Sequence, residues 1–180
     1  MPSTAESIHI DASCEQVFDL LHDYSRRLAW DPFLRRADVL GQEAGRADGC
    51  VKVGTRTWCA ARWRNGGLGM ETVYVTFRRP DVAAVRMTRG PWFIRLFGAS
   101  IRHVQEGSGC RVTYRFTFEA APQWLAPLMR PVFRRFFERE TRGRLEALKR
   151  YAEGTDEREG ERCPASRSDT PPPSTARERR

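Results

Sequence analysis

Residues 7–33 read SIHIDASCEQVFDLLHDYSRRLAWDPF, and this stretch decides the fold class. Ile8 and Ile10 alternate with polar residues, which is the period of a half-buried strand. Ser13 and Gln16 follow with the spacing of a capping box, in which the two side chains satisfy early backbone N–H groups of a helix. A strand that leads directly into a helix is therefore predicted.

The predicted helix has apolar residues at helical spacing. They are Val17, Leu20, Leu21, Tyr24 and Leu28. Pro32 cannot continue a helix, and it disfavours helical geometry at Asp31. The chain should therefore turn back near Trp30 toward a sheet.

A meander of strands is predicted between residues 36 and 120. Turn-forming residues divide this region at 45–49, 65–67, 80–81 and 107–109, and the intervals between them fit five or six antiparallel strands. The region therefore predicts a single antiparallel sheet.

Side-chain alternation assigns the inward faces of the strands. In residues 51–63 it places Thr57, Cys59 and Trp63 on the inner face, opposite basic side chains. In residues 111–119 the inner face consists of Val112, Tyr114, Phe116 and Phe118. These faces should meet in the interior of a bent sheet.

The strand at residues 71–77 has Val75 and Phe77 on one face and Tyr74 on the other. The face that carries Val75 is expected to point inward. Glu71 shares that parity, but because it lies at the strand end we expect its carboxylate to reach solvent.

Residues 123–152 are predicted to form a long amphipathic helix. Its apolar face consists of Leu125, Leu128, Met129, Val132, Phe133, Phe136 and Phe137. The regular part is expected to begin near Pro131, because the missing N–H of proline costs least in a first turn. One domain is predicted over residues 1–152, a length sufficient for a sizeable core.

Residues 153–180 lose the aromatic residues and the apolar periodicity, and they include the tract 171–173 of three prolines. Such a composition buries too little surface to offset the entropy of ordering the chain. A disordered polar tail is therefore predicted after the domain.

Composition argues against several classes of protein. No run approaches the roughly 20 apolar residues that cross a bilayer, and residues 1–6 lack the regions of a secretory signal, so a soluble cytoplasmic protein is expected. The five cysteines are scattered without a CxxC pair, so reduced thiols are expected rather than disulfides. The three histidines have no neighbours at ligand spacing, so neither a metal nor a cofactor is indicated.

The formal net charge is +8, which invites the hypothesis of nucleic-acid binding. Nearly all of the positive charge is arginine, because lysine occurs only at Lys52 and Lys149. Residues 153–180 contain six arginines against seven acidic residues, so the tail is not basic. No nucleic-acid partner is expected.

The opening segment resembles polyketide cyclase/dehydrase-like members of the SRPBCC superfamily, which is also called START/Bet v1-like. The matching residues are Ala12, Ser13, Glu15, Val17, Phe18, Asp23 and Trp30. A second match is the glycine-containing turn and strand at residues 106–119. The resemblance covers roughly residues 5–152 and implies an α+β helix-grip fold, with a curved antiparallel sheet around a long C-terminal helix and a short N-terminal helical segment.

The resemblance further implies a cavity between sheet and helix that binds a hydrophobic small molecule, such as a lipid, a polyketide or an isoprenoid-like compound. The candidate ligand-binding residues are Trp30, Phe33, Thr57, Cys59, Trp63, Val75, Met87, Tyr114, Phe116, Met129, Phe133 and Phe136. Each of them also fits an ordinary core position. Trp63 and Tyr114 are the strongest candidates, because each combines an apolar body with a hydrogen-bonding tip.

Two alternatives stay open. A polyketide cyclase or dehydratase would need a buried acid or base, and the sequence offers Glu71, Asp31, His103 and Tyr114 at no recognisable mutual spacing, so we assign no catalytic residue. A protein- or membrane-interaction module would use the arginine-rich face of the last helix or the apolar segment at residues 90–98. The sequence does not indicate an oligomeric state.

Overall fold

The structure of the chain is a computed structural model that describes residues 3–41, 51–63, 66–120, 122 and 126–162. Side chains are described for these residues except 126–130 and 155–162. Within this part of the chain there are seven strands and three helices. The strands are β1 (Ser3–Ile10), β2 (Leu34–Leu40), β3 (Arg56–Ala61), β4 (Gly69–Arg78), β5 (Val82–Arg89), β6 (Ile94–Glu106) and β7 (Gly109–Ala120). The helices are α1 (Cys14–His22), α2 (Arg27–Trp30) and α3 (Ala126–Arg162).

The strands form one antiparallel sheet in the order β1-β7-β6-β5-β4-β3-β2. Strands β2 to β7 form a meander in which neighbours in sequence are neighbours in the sheet. The first strand, β1, pairs with the last strand, β7. The curved sheet wraps around helix α3, which packs mainly on β1. The predicted α+β helix-grip fold is confirmed, with α1 and α2 as the short N-terminal helical segment.

Ser13 caps helix α1 as predicted. Its Oγ accepts a hydrogen bond from the Gln16 backbone N–H at 3.2 Å, and Gln16 Oε1 accepts one from the Ser13 backbone N–H at 3.0 Å. The helix ends at His22, so the apolar spacing that continues to Leu28 does not describe a single helix. Leu28 lies in the separate helix α2 and is 45 % exposed.

The inner face of β4 differs from the prediction. Tyr74 pairs with Val85 and Thr76 with Ala84, so Val75 is an extra residue on β4 and forms a β-bulge. Tyr74 is buried, whereas Val75 is 46 % exposed. The prediction that Val75 points inward is wrong, because the bulge interrupts the alternation on which it depended.

Trp63 points to solvent and not inward, so that prediction is also wrong. Strand β3 ends at Ala61, so its alternation does not extend to position 63. The indole of Trp63 is 77 % exposed and lies against Gly67, where a side chain would collide with the ring. The guanidinium of Arg35 lies 4.7 Å from the ring centroid, and this cation–π contact holds the indole on the outside of the protein.

Helix α3 extends beyond the predicted end at Ala152, and its regular part begins before Pro131. It begins at Ala126 and accommodates Pro131 inside its first turns, so the expected start near Pro131 is wrong. It continues past Ala152 to Arg162, and residues 163–180 lie outside the described residues, so the polar tail stays a prediction there. Despite the length of α3, no described helix qualifies as a membrane-spanning segment.

Cys14 and Cys110 form a disulfide, with their Cα atoms 5.0 Å apart. The pair is separated by 96 residues in sequence, and it meets because β1 pairs with the start of β7 just before α1 begins. The expectation of reduced thiols is therefore wrong for this pair. Cys59 is a free thiol, while Cys50 and Cys163 lie outside the described residues.

Candidate ligand cavity

A cavity of about 150 Å³ lies between the concave face of the sheet, the α1–α2 segment and helix α3. Most of its wall is apolar. The strands contribute side chains that include Met70, Val85, Ile94, Phe97, Ala99 and Phe116. Phe136 and Phe137 of α3 close the opposite side, so the space between sheet and helix is not completely filled by side chains.

Five of the candidate binding residues line this cavity. They are Phe33, Cys59, Tyr114, Phe116 and Phe136. Cys59 and Phe116 lie on the faces of β3 and β7 that alternation assigned to the interior. The structure thus brings together residues from β3, β7, α3 and the segment after α2, and a role in binding stays a prediction for each.

Two further candidates lie behind the wall. Trp30 is buried and borders a separate void of about 20 Å³ next to Tyr114 and Leu148. Thr57 is fully buried, and its Oγ1 lies 2.9 Å from Oγ1 of Thr72, which does line the cavity. Both residues support the wall from outside the cavity.

The remaining candidates lie elsewhere. Phe133 stacks on Phe93 with ring centroids 5.6 Å apart, and Met87 packs in the same apolar cluster, outside the wall. Trp63 and Val75 face solvent. The side chain of Met129 lies outside the described residues.

The apolar segment at residues 90–98 borders the cavity. Pro91 and Ile94 contribute to the wall, whereas Trp92 is 79 % exposed. Contact of this exposed indole with a protein or a membrane stays a prediction.

Two arginines that line the cavity share one buried carboxylate. Arg27 donates from Nε to Asp31 Oδ2 at 3.1 Å, and Arg144 donates from Nε and Nη2 to the same oxygen at 3.1 and 2.8 Å. Asp31 Oδ1 accepts the backbone N–H of Phe33 at 3.1 Å. The side chain of Asp31 is fully buried, and those of Arg27 and Arg144 are 9 % and 21 % exposed. This group, here called the ion triad, joins the α2 segment to α3.

The two guanidiniums keep Asp31 ionised. Burial by itself would raise the pKa of the carboxyl, but the charges of Arg144 and Arg27 outweigh it and hold the pKa below its ordinary value. Burial likewise opposes the charge on Arg144, yet the carboxylate of Asp31 raises the pKa of that guanidinium. The ion triad therefore has two positive charges and one negative charge at neutral pH.

A chain of hydrogen-bonding side chains runs along the neighbouring wall. His22 Nδ1 lies 3.0 Å from the Tyr74 hydroxyl, which lies 3.4 Å from the Tyr24 hydroxyl. Tyr24 donates to Thr57 Oγ1 at 3.2 Å, and Thr57 is linked to Thr72. All of these residues except Thr57 line the cavity, so its wall includes polar groups beyond the ion triad.

Burial keeps these hydrogen-bonded side chains uncharged near neutral pH. It raises the pKa of Tyr24 to about 12 and raises that of Tyr74 well above its ordinary value. Burial, assisted by the charge of Arg27, lowers the pKa of His22 well below its ordinary value. Within the described part of the chain, His22 Nε2 is buried without a hydrogen-bond partner. The cavity therefore contains a neutral imidazole and two protonated phenols.

Glu71 does not reach solvent as expected. It is 6 % exposed, and its Oε1 accepts hydrogen bonds from Arg56 Nη2 at 2.6 Å and from the Thr88 hydroxyl at 2.8 Å. These hydrogen bonds hold the pKa of Glu71 below its ordinary value. The carboxylate is absent from the cavity wall, so it forms a structural ion pair away from the cavity.

The other acid–base candidates lie in three different environments. His103 is buried with its ring centroid 5.2 Å from that of Phe18 and does not line the cavity. Asp31 is the centre of the ion triad, a role beyond the turn chemistry expected from its position before Pro32. Tyr114 lines the cavity as predicted.

Apart from Tyr114, the polar residues of the wall were missed by sequence reasoning. They are His22, Tyr24, Arg27, Thr72, Tyr74, Glu140, Thr141 and Arg144. The separation of Arg27 and Asp31 is that of an i,i+4 ion pair, a signal that could have indicated their contact. No local pattern could have indicated Arg144, which is 113 residues from Asp31.

An open groove on the outside adjoins the cavity and is lined in addition by Arg139 and Gly143. Phe33, Phe136, Glu140 and Arg144 border both the groove and the cavity. The rings of Phe33 and Phe136 are in contact, with centroids 6.3 Å apart, so this pair separates the two spaces.

A curved antiparallel sheet around a long helix, with a cavity between them, defines the helix-grip fold. Residues 1–153 match the model of the family described as polyketide cyclase / dehydrase and lipid transport. The chain belongs to this family, which confirms the resemblance seen in the opening segment. A search of curated proteins finds no match.

Solved structures support the same fold. A protein from Thermus thermophilus has a TM-score of 0.71 at 15% identity, and the match covers 86% of this chain and 99% of that one. A START superfamily protein from Mycobacterium smegmatis has a TM-score of 0.67 at 12% identity, covering 85% and 98%. One part of the di-domain ARO/CYC StfQ from the steffimycin biosynthetic pathway has a TM-score of 0.70 at 15% identity, covering 88% and 52%. At these identities the likeness concerns the fold.

Proposed function

We propose that the protein binds a hydrophobic small molecule in the cavity between the sheet and helix α3. The observation that supports this proposal is the composition of the wall, which is mostly apolar with polar groups gathered around Arg27, Tyr74 and Arg144. Such a wall desolvates the body of a ligand, contributing about 25 cal/mol per Å² of buried apolar surface, while a few polar groups fix its orientation. A lipid, a polyketide or an isoprenoid-like compound fits this chemistry.

The size of the cavity favours a compact ligand. Its volume of about 150 Å³ is below the roughly 300–1,000 Å³ of typical drug-sized sites. A ligand of one or two rings fits inside, and a longer one would have to separate the rings of Phe33 and Phe136 to reach the groove.

Filling the cavity provides the test. Ala99 lines the cavity and is buried, so Ala99→Leu directs three additional carbon atoms into the space that the ligand would occupy. We expect this variant to weaken binding of lipids and aromatic compounds by roughly tenfold or more, because the lost apolar contacts are a large share of the affinity. Binding is measured by calorimetry on a panel, together with mass spectrometry of any co-purifying compound.

Ala29→Leu is the matched control, because Ala29 is exposed on α2 and the same atoms are added outside the cavity. It should leave the affinities unchanged, and circular dichroism checks that both variants fold. Equal affinities for the wild type and Ala99→Leu would contradict binding in this cavity.

A second candidate function is that of a cyclase or dehydratase, favoured by the contact of His22 with Tyr74 in the cavity wall. A dehydration would remove water from a β-hydroxy ketone. His22 would accept the proton from the carbon next to the carbonyl, and the Tyr74 hydroxyl would donate a proton to the departing hydroxyl group. The proton accepted by His22 then returns to Tyr74.

This candidate predicts that Tyr74→Phe lowers turnover of a short β-hydroxy ketone thioester by at least about tenfold, since acid–base catalysis typically contributes 100-fold or more. Turnover is followed by the absorbance of the unsaturated product, and the Kd for the same compound should change much less. Tyr151→Phe, on the last turns of α3 outside the cavity wall, is the control. Undiminished turnover by Tyr74→Phe would exclude this mechanism.

A further inference from the structure

We propose that the ligand is an apolar carboxylic acid, whose carboxylate binds at the ion triad while its apolar body occupies the cavity. This inference rests on the proposed function and specifies the class of ligand for the same cavity. The observation behind it is the convergence of the Arg27 and Arg144 side chains, which line a mostly apolar cavity, on a single carboxylate.

The guanidiniums retain donors that the protein does not use. Arg27 donates from Nε to Asp31 and from Nη1 to the backbone oxygen of Leu21, and Arg144 donates from Nε and Nη2 to Asp31. In the described part of the chain, neither Nη2 of Arg27 nor Nη1 of Arg144 donates to a protein acceptor. Both side chains line the cavity. The Arg27 and Arg144 guanidiniums also lie over the rings of Trp30 and Phe33, at 4.6 and 5.3 Å from the ring centroids, and these contacts use the faces of the guanidiniums and not the N–H groups in their planes.

Asp31 has no further capacity to neutralise the arginines. Its Oδ2 accepts three N–H groups from the two guanidiniums, and its Oδ1 accepts the Phe33 backbone N–H. A second carboxylate, brought by a ligand, would complete two arginine–carboxylate pairs. Charge-assisted hydrogen bonds of this kind are roughly twice as strong as neutral ones.

The other titratable groups of the wall do not neutralise the excess positive charge of the ion triad. His22 is uncharged, because burial and the charge of Arg27 lower its pKa. Glu140 borders both the cavity and the outer groove, as Arg144 does, but among the described residues it forms no ion pair with Arg27 or Arg144, which both pair with Asp31. The ion triad by itself has an excess of one positive charge, and a largely apolar surrounding strengthens its attraction for an anion.

Neutral hydroxyls belong to the same wall. Those of Tyr24, Thr72 and Tyr74 line the cavity, and burial raises the pKa values of both phenols, so the phenols remain protonated. These hydroxyls are already paired within the protein, because Tyr24 donates to Thr57, Tyr74 contacts His22 and Thr72 contacts Thr57. The arginines are therefore the groups that would distinguish a carboxylate from an uncharged ligand.

The test compares 1-naphthylacetic acid with 1-naphthylacetamide, which have nearly the same shape and differ in charge. Calorimetry is performed at about pH 7.5, where the acid is ionised. We expect the acid to bind at least about tenfold more tightly than the amide, because both can accept hydrogen bonds from the arginines but only the carboxylate has the opposite charge. Arg144→Gln should reduce this preference to about threefold or less, because it weakens binding of the acid much more than binding of the amide.

Two variants serve as controls. Arg144→Lys keeps the positive charge and should retain a preference for the acid, which separates the effect of charge from the effect of lost packing. Arg142→Gln removes an exposed arginine, which is 67 % exposed and pairs with Glu6, and it should retain the full preference. Near-ultraviolet circular dichroism confirms that each variant is folded.

The outcomes distinguish this inference from the proposed function. Equal affinities of the acid and the amide for the wild-type protein would overturn the carboxylate assignment and leave apolar binding in place. A preference for the acid that survives in both Arg144→Gln and Arg27→Gln would place the carboxylate elsewhere and overturn the inference as well. Failure of both compounds and of the whole lipid and aromatic panel would overturn the proposed function itself.

Discussion

Replacing Asp31 by asparagine is expected to lower the free energy of unfolding by roughly 3–5 kcal/mol, the range measured when one partner of a buried ion pair is removed. The carboxylate is fully buried and accepts hydrogen bonds from both Arg27 and Arg144. Without its charge, two largely buried guanidiniums are left next to each other without compensation. Urea unfolding at neutral pH, followed by tryptophan fluorescence, measures the change.

Asp38→Asn is the matched control for Asp31→Asn. Asp38 is 38 % exposed and pairs with Arg36 on the surface, so its replacement should cost less than about 1 kcal/mol. A triple variant, Arg27→Met, Asp31→Leu and Arg144→Met, removes the charges together and should be considerably more stable than Asp31→Asn. A loss below about 1 kcal/mol for Asp31→Asn would contradict the buried geometry of the ion triad.

The second large effect concerns acid stability. Burial lowers the pKa of His103 to about 4, from an ordinary value of about 6.5. Between these two values the unfolded chain binds a proton that the folded protein does not bind, so stability falls as the pH drops from about 6.5 to about 4. This histidine should account for roughly 3 kcal/mol of the stability lost across that interval.

His103→Phe isolates this contribution, because it replaces the imidazole by an aromatic ring next to Phe18. Urea unfolding at a series of pH values should show a loss between pH 7 and pH 4 that is smaller by roughly 3 kcal/mol than in the wild type. His9→Phe, which changes a half-buried histidine at the surface, should leave the wild-type profile largely in place. Superimposable profiles for the wild type and His103→Phe would contradict a neutral buried His103.

The fold could be predicted from sequence because its signals are local. The capping box at Ser13, the turn at residues 107–109 and the alternation from Val112 to Phe118 each depend on residues close together in the chain. The errors arose where a local rule was extended too far. A bulge at Val75 changes the alternation without any signal in composition, and the end of β3 at Ala61 removes the basis for placing Trp63.

The candidate site was predicted only in part, for a related reason. Apolar wall residues such as Cys59 and Phe116 follow from strand parity, which a sequence displays. The polar end depends on the approach of Arg144 to Asp31, and of Tyr74 to His22, and those contacts exist only after the sheet has wrapped around α3. The disulfide between Cys14 and Cys110 has the same long-range character.

The sharing of Asp31 by two arginines also has a consequence for the entropy of binding. A free arginine side chain carries about 2 kcal/mol of rotamer entropy. In the folded protein Arg27 and Arg144 have already given up much of this freedom, because each is held to the same carboxylate. A ligand therefore meets preorganised donors, and the cost of ordering them is part of protein folding and not of ligand capture.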